Sequence, residues 1–249
     1  GGCNAQVRTI SYYGRLVYNL FDRYILTATL RRDGSSNFSS GNRWGTFPSV
    51  ALAWRAKEET FLKNVKEISN AKVRFGWGQT GNAGGIAGRS VYALSSAHTK
   101  YNFYAPGAGG GTTGQLTQET GYYAPLVDTN LKWETNYNLN LGLDFALFDR
   151  VNVTLEYYLR NTKNLLMDSP VSMTTGFSSY LMNVGQLRNQ GVELEINSTN
   201  IKNKNFEWKT TFNLSHNTNK VVNLDGDQTE IISGTQIHKI GHSYRTFYM

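Results

Sequence analysis

Eight stretches of the chain alternate apolar and polar residues with a period of two, the spacing at which successive side chains of a strand fall on opposite faces. In the first, about residues 9–20, Ile10, Tyr12, Leu16, Tyr18 and Leu20 share one face and Thr9, Ser11, Arg15 and Asn19 the other. The second, 24–33, sets Tyr24, Leu26, Ala28 and Leu30 against Thr27, Thr29 and Arg31. The third sets Phe47, Val50, Leu52 and Trp54 against Ser49, Ala51, Ala53 and Arg55, with a slip in phase near Pro48. The fourth sets Ala71, Val73, Phe75 and Trp77 against Lys72, Arg74, Gly76 and Gly78. In the fifth and cleanest, Trp133, Thr135, Tyr137, Leu139, Leu141, Leu143 and Phe145 alternate with Glu134, Asn136, Asn138, Asn140, Gly142 and Asp144. The sixth sets Val151, Val153, Leu155, Tyr157 and Leu159 against Asn152, Thr154, Glu156, Tyr158 and Arg160. The seventh, about 184–198, sets Val192, Leu194 and Ile196 against Gly191, Glu193, Glu195 and Asn197. The eighth sets Phe206, Trp208, Thr210, Phe212 and Leu214 against Glu207, Lys209, Thr211, Asn213 and Ser215.

The pattern predicts an all-β fold, and the two faces predict its surroundings. A soluble sandwich also alternates, but its strands average about five or six residues. Here they reach about ten, the length a tilted strand needs to cross a bilayer. Tyr24, Trp54, Trp77, Trp133, Phe145 and Trp208 stand at the ends of the apolar faces, where amphipathic rings favour the lipid–headgroup boundary. The opposite face carries Arg15, Arg31, Arg55, Lys72, Arg74, Glu134, Asp144, Glu156, Arg160, Glu193 and Glu195. A dry core does not accommodate such groups unpaired, whereas a water-filled or plugged lumen does. These residues are therefore expected to form a wall of ion pairs, with some bonds to a plug.

Connection lengths give an independent indication. Phe21-Asp22-Arg23 and Phe148-Asp149-Arg150 are tight turns, and Thr199 to Lys204 is a modest one. Stretches three and four are joined by a segment in which Glu58, Glu59, Phe61, Leu62 and Val65 predict one or two helical turns. The connections between these, 34–45, 81–131 and 162–183, are long and polar. Short turns on one side and long loops on the other are the arrangement of outer-membrane barrels. By this parity the chain starts and ends on the long-loop side, so residues 1–249 are expected to be an internal part of one barrel domain.

Composition narrows the classes further. Charged residues are only 17% of the 249, aromatics 13%, with 15 Tyr, 25 Gly and 25 Asn. That balance excludes a charged disordered segment. No apolar run approaches the roughly 18 residues of a spanning helix. The net charge of +7 is scattered without a basic stripe, which argues against nucleic acid as a partner. One cysteine, Cys3, rules out an internal disulfide framework.

No catalytic constellation is present, and no cofactor or metal site is expected. His238 and His242 are four apart, but no Glu follows His238 and their surroundings read as strand or loop. Asp225, Asp227 and Glu230 faintly resemble a calcium loop, yet Gly226 is at the wrong offset and a solvated turn is the simpler reading. The Gly109–Gly114 run lacks the lysine of a phosphate loop. Binding needs no such chemistry. The longest loop carries Tyr92, Tyr101, Phe103, Tyr104, Tyr122 and Tyr123 among Gly, Thr and Asn. Aromatic faces and amides suit sugars or peptides, so these six are the candidate substrate contacts; packing of the loop on itself is the alternative.

Five segments, in order, resemble one family. Tyr24 to Arg55 (YILTATLRRDGSSNFSSGNRWGTFPSVALAWR) is similar to the barrel signature of the SusC/RagA group of TonB-dependent outer-membrane transporters. VRFGWGQTGN from Val73, the long hairpin from Asn130 to Leu166, NVGQLRNQGVELEIN from Asn183 and IGHSYRTFY from Ile240 continue the resemblance. It implies a 22-stranded barrel with a plugged lumen in the bacterial outer membrane. It implies import of oligosaccharides or peptides, a SusD-type surface lipoprotein over the barrel, and energy relayed by TonB through regions this chain lacks. Two other readings stay open on the residues alone: a passive porin-like barrel, and a barrel that serves as a binding or assembly scaffold.

Overall fold

In a computed structural model describing residues 7–83, 102–105, 115–118, 130–170, 179–224, 229–233 and 235–247, the eight alternating stretches become one antiparallel sheet. Its strands are β1 (Thr9–Leu20), β2 (Tyr24–Ser35), β3 (Trp44–Arg55), β4 (Ile68–Asn82), β7 (Glu134–Leu147), β8 (Val151–Lys163), β11 (Gln186–Lys202) and β12 (Glu207–Asn223), paired in that order. The labels β5 (Asn102–Ala105) and β6 (Gln115–Gln118) belong to a ribbon inserted between β4 and β7. A second ribbon, β9 (Leu166–Pro170) with β10 (Ser179–Asn183), lies between β8 and β11. Beyond β12, β13 (Glu230–Ser233), β14 (Gln236–Lys239) and β15 (Thr246–Phe247) form a three-stranded sheet.

Each sheet neighbour is also the next long strand along the chain, so the topology is a simple up-and-down meander. The register carries the alternation across the strands without loss. One row reads Leu20, Tyr24, Trp54, Val73, Leu143, Leu155, Leu194 and Leu214, apolar on all eight strands. The adjacent row reads Asn19, Ile25, Ala53, Arg74, Gly142, Glu156, Glu193 and Ser215, and faces the other way. The apolar face is open: Leu16 is 62% exposed and Leu214 58%. A soluble protein rarely leaves so large an apolar surface uncovered.

The short connections all lie at one end of the sheet. Two of them are the Phe-Asp-Arg turns, and a third is a 3-10 turn (Ala56–Glu58) followed by α1 (Thr60–Lys63), the expected helical turns. The dry clusters lie at the other end. Phe38, Leu131 and Leu181 form one, flanked by Trp133 and Leu166. Met167, Val184, Val221, Leu224 and Ile231 form the second, flanked by Leu187 and Tyr244.

Two details depart from the sequence reading. The β2–β3 ladder is continuous through Leu30↔Pro48 and Arg31↔Phe47, so there is no slip in phase. Phe47 therefore has the parity of Ser49 and Ala51, and it is buried against Trp133 at a centroid distance of 5.7 Å. Pro48 explains the false slip. It has no N–H to give, and the β3–β4 ladder ends beside it at Ser49↔Gly78. Trp133, in turn, is no boundary ring on the apolar face. It precedes β7, packs tilted against Phe38 at a centroid distance of 4.9 Å and donates Nε1–H to the Arg43 carbonyl at 3.2 Å.

Candidate functional site

The polar face is the first candidate site. All eleven charged residues assigned to it by alternation do share that face in the register. At its centre Arg74 spans three strands. Its Nε and Nη2 donate to the two oxygens of Asp144 at 2.8 and 2.9 Å, and Nη2 also reaches Glu156 at 2.5 Å. Glu156 lies two strands away, and the register position between is Gly142. A Cβ there would stand 2.9 Å from the Arg74 Cζ, so only glycine lets the guanidinium lie flat across β7. Gly191 does the same for Tyr158, whose hydroxyl crosses it to donate to Asn217 Oδ1 at 2.5 Å.

Asparagines supply the remaining links. Arg160 Nε donates to Asn138 Oδ1 at 2.8 Å and Thr162 Oγ1 to Asn136 Oδ1 at 2.6 Å. The wall is thus more a mesh of amides than a lattice of ion pairs. Among the described residues, its cross-strand ion pairs on this face are those of Arg74. The charges also segregate. Arg15, Arg31, Arg55, Lys72 and Arg74 lie on the first four strands, relieved only by Asp33, which pairs with Arg31 at 2.7 Å. Glu134, Asp144, Glu156, Glu193, Glu195 and Glu207 lie on the last four, relieved by Arg160, by Lys202 opposite Glu207, and by Lys209, which pairs with Glu207 at 3.1 Å. Glu193 stands directly opposite Glu156, a cross-strand arrangement that like charges disfavour.

The apolar face is rimmed by rings. At the short-turn end, Glu59 accepts hydrogen bonds from the Tyr24 hydroxyl (2.6 Å), Trp54 Nε1 (3.2 Å) and Arg23 Nη1 (3.3 Å). The Tyr24 bond first, and the Trp54 bond next, hold its carboxyl below the ordinary range of 4.5. At the long-loop end, Trp44 stacks on Tyr12 at 6.1 Å and lies under the Arg32 guanidinium at 5.3 Å. The sequence reading missed Trp44, because the supposed slip at Pro48 hid that Trp44, Thr46 and Pro48 continue the phase of Val50.

The candidate loop contacts are less well placed. Phe103 and Tyr104 fall on β5, in register with Thr117 and Leu116 of β6. Tyr92, Tyr101, Tyr122 and Tyr123 lie outside the described residues, as do Cys3, Asp225, Asp227 and the Gly109–Gly114 run. His238 is described: it is buried on β14, stacked 4.6 Å from Tyr244, and accepts from the Arg245 N–H at 3.4 Å. Burial, and then the Arg245 charge, push its pKa down. Among the described residues no cluster of three His, Cys, Asp or Glu could hold a metal.

Long antiparallel strands with one apolar and one charged, hydrogen-bonded face, short turns at one end and folded loops at the other, define the wall of a transmembrane β-barrel. The chain belongs to the TonB-dependent receptor-like β-barrel family, whose model matches residues 4–246. It is 37% identical to the TonB-dependent receptor SusC of Bacteroides thetaiotaomicron over 96% of its length, and 39% identical to TonB-dependent receptor P3 of Formosa agariphila over 98%. It covers 25% and 24% of those proteins, so it spans about a quarter of the curated relatives it matches. Among solved structures, the RagAB peptide transporter matches with a TM-score of 0.78 and 25% identity, covering 98% of this chain and 26% of that one. The siderophore receptor PirA of Pseudomonas aeruginosa, at 18% identity and a TM-score of 0.50, shares the fold alone.

Proposed function

We propose that residues 1–249 form part of the wall of one TonB-dependent importer barrel in the bacterial outer membrane, and that the whole protein takes up oligosaccharides or peptides. The observation that carries this reading is the pair of adjacent rows described above. One is apolar on all eight strands and suited to lipid; the other carries Arg74, Glu156 and Glu193 and suits a wet interior. The names of the relatives support import, and the RagAB transporter is described as moving peptides. A SusD-type surface lipoprotein would sit over the long-loop end, and TonB would act through parts of the polypeptide beyond this segment.

In this reading the chain does no covalent chemistry. Cargo would be met by the long connection, with Tyr92, Tyr101, Phe103, Tyr104, Tyr122 and Tyr123 as the contact set, and would then pass along the polar wall. Uptake of labelled oligosaccharide and labelled peptide by cells with and without TonB tests the proposal. Energy-dependent uptake of either cargo supports it. Equal uptake in both strains would mean a passive pore, and none in either would mean a scaffold.

A further inference from the structure

The apolar face of the sheet is not free of charge. Among the described residues of the eight long strands, Arg32, Lys163, Arg188 and Lys220 share its phase in the register, and no Asp or Glu does. All of these cations lie toward the long-loop end of their strands. The acidic residues of the same strands fall on the polar face, so the cations have no counter-charge on their own side. None of them forms an ion pair among the described residues.

Three of the cations are gathered in one place. A single ladder row reads Tyr137, Asn161, Arg188 and Lys220 across β7, β8, β11 and β12. Six residues nearer the short turns, the same strands carry Leu143, Leu155, Leu194 and Leu214, so the row faces the apolar side. Arg188 Nε donates to Asn161 Oδ1 at 2.9 Å, which holds the guanidinium in place and leaves its Nη groups without a partner among the described residues. Lys220 stands directly opposite Arg188, exposed, with no bond of its own among the described residues. Lys163, two residues beyond Asn161, reaches back over the Tyr137 ring, its Nζ 5.1 Å from the centroid. Like charges directly opposite each other weaken a sheet. The Arg188–Lys220 pair is therefore unfavourable until an anion joins it.

The level of the row on the wall says which anion. Tyr137 stands ten residues from Leu147, where β7 meets its short turn, and Lys220 twelve from Trp208 on β12. At about 3.4 Å per residue and a strand tilt of about 40°, those distances are about 26 and 31 Å along the barrel axis. The lipid-facing band of such a barrel is about 25 Å tall. The row thus lies just past the acyl chains, among headgroups, where the anion is phosphate. A single lysine at this level would only reach for water. Here a guanidinium is tied to Asn161 and set against an ammonium, and that pair of donors matches the oxygens of one phosphate. We propose that Arg188 and Lys220, flanked by Lys163 and with Asn161 positioning the guanidinium, form a site for the phosphate of one lipid headgroup in the leaflet on the long-loop side. This rests on the barrel reading above.

The test uses the complete transporter in neutral detergent, titrated with phosphatidic acid, with the diacylglycerol of the same chains, and with inorganic phosphate, and read by native mass spectrometry. The wild type should retain one phosphatidic acid in preference to diacylglycerol. Arg188→Gln with Lys220→Gln should weaken that binding about tenfold. Arg15→Gln with Arg55→Gln removes the same charge from the opposite face and should leave it unchanged. Equal loss in both double variants, or loss in neither, overturns the site. Inorganic phosphate that binds as tightly as phosphatidic acid overturns a lipid as the occupant. Removing Arg188 and Lys220 relieves a like-charge opposition, so the variant should unfold at no lower temperature than the wild type in detergent alone, which separates loss of lipid from loss of fold. A nitroxide at Leu141→Cys, with native thiols replaced and the protein in bilayers, tests the reading beneath the proposal. Access to a water-soluble nickel complex there would sink the barrel and the site together; access to oxygen alone, with no selective loss in the Arg188 and Lys220 variant, refutes the site and leaves the barrel standing.

Discussion

Gly142→Ala adds one methyl group to the polar wall, and the structure says whom it meets. The new Cβ would stand 2.9 Å from Cζ and Nη2 of Arg74. A guanidinium is the far end of a flexible side chain, so the backbone need not move; Arg74 yields instead. It cannot yield while keeping both the Asp144 fork and the 2.5 Å bond to Glu156. Hydrogen bonds to charged groups are worth about 1.5–3 kcal/mol when shielded. Arg74 and Glu156 have side-chain exposures of 36% and 41%, so solvent screening reduces the loss to about 1 kcal/mol. Urea unfolding of the complete transporter in bilayers, at fixed lipid composition, reads the difference. The decisive control is a double-mutant cycle with Glu156→Gln. If the methyl acts by dislodging Arg74 from Glu156, its cost should shrink to a few tenths of a kcal/mol in that background. Full additivity would refute the argument, because it would place the damage in the β7 backbone rather than in the bridge.

Three further outcomes follow from other parts of the structure. The Glu59 carboxyl is held low by Tyr24 and Trp54, so the stability it lends is present above about pH 4.5 and is lost as pH falls below that range; Glu59→Gln should flatten this acid limb in a stability-against-pH series. Phe38 is fully buried beside Trp133, so Phe38→Ala should cost about 3 kcal/mol locally. Amide exchange at Ser35, bonded to the Arg43 carbonyl at 3.0 Å, should then quicken about a hundredfold. If the long connection meets cargo, Tyr101→Ala with Tyr104→Ala should lower uptake three- to tenfold at unchanged surface level, measured with labelled substrate.

How much of this was legible beforehand depends on range. A period of two is written in adjacent residues, so Leu139, Leu141 and Leu143 announced a strand and its two faces without help. What joins strands needs register. Arg74, Asp144 and Glu156 could be assigned to one face, but not to one another, because their contact depends on which residue of β7 falls between β4 and β8. That residue is a glycine, and its purpose appears only when the ladders are aligned. Trp133 and Phe47 were misassigned for a related reason. Each fits the local alternation, yet one lies just before its strand begins and the other beside a proline that ends a ladder. At both places packing at the long-loop end outweighs periodicity. The loop aromatics carried no period at all, only composition, and composition cannot position a side chain.

The segregation of charge along the wall has a mechanical meaning. With Arg15, Arg55 and Lys72 on one flank and Glu193 and Glu195 on the other, the polar face carries a transverse electric field whose seam is the Arg74 bridge. A molecule with neither charge nor dipole would be neither turned nor held by it. In the import reading proposed above, a molecule with opposite charges at its two ends would experience a torque that favours alignment across the strands. Added salt, by shortening the Debye length, would slacken that torque.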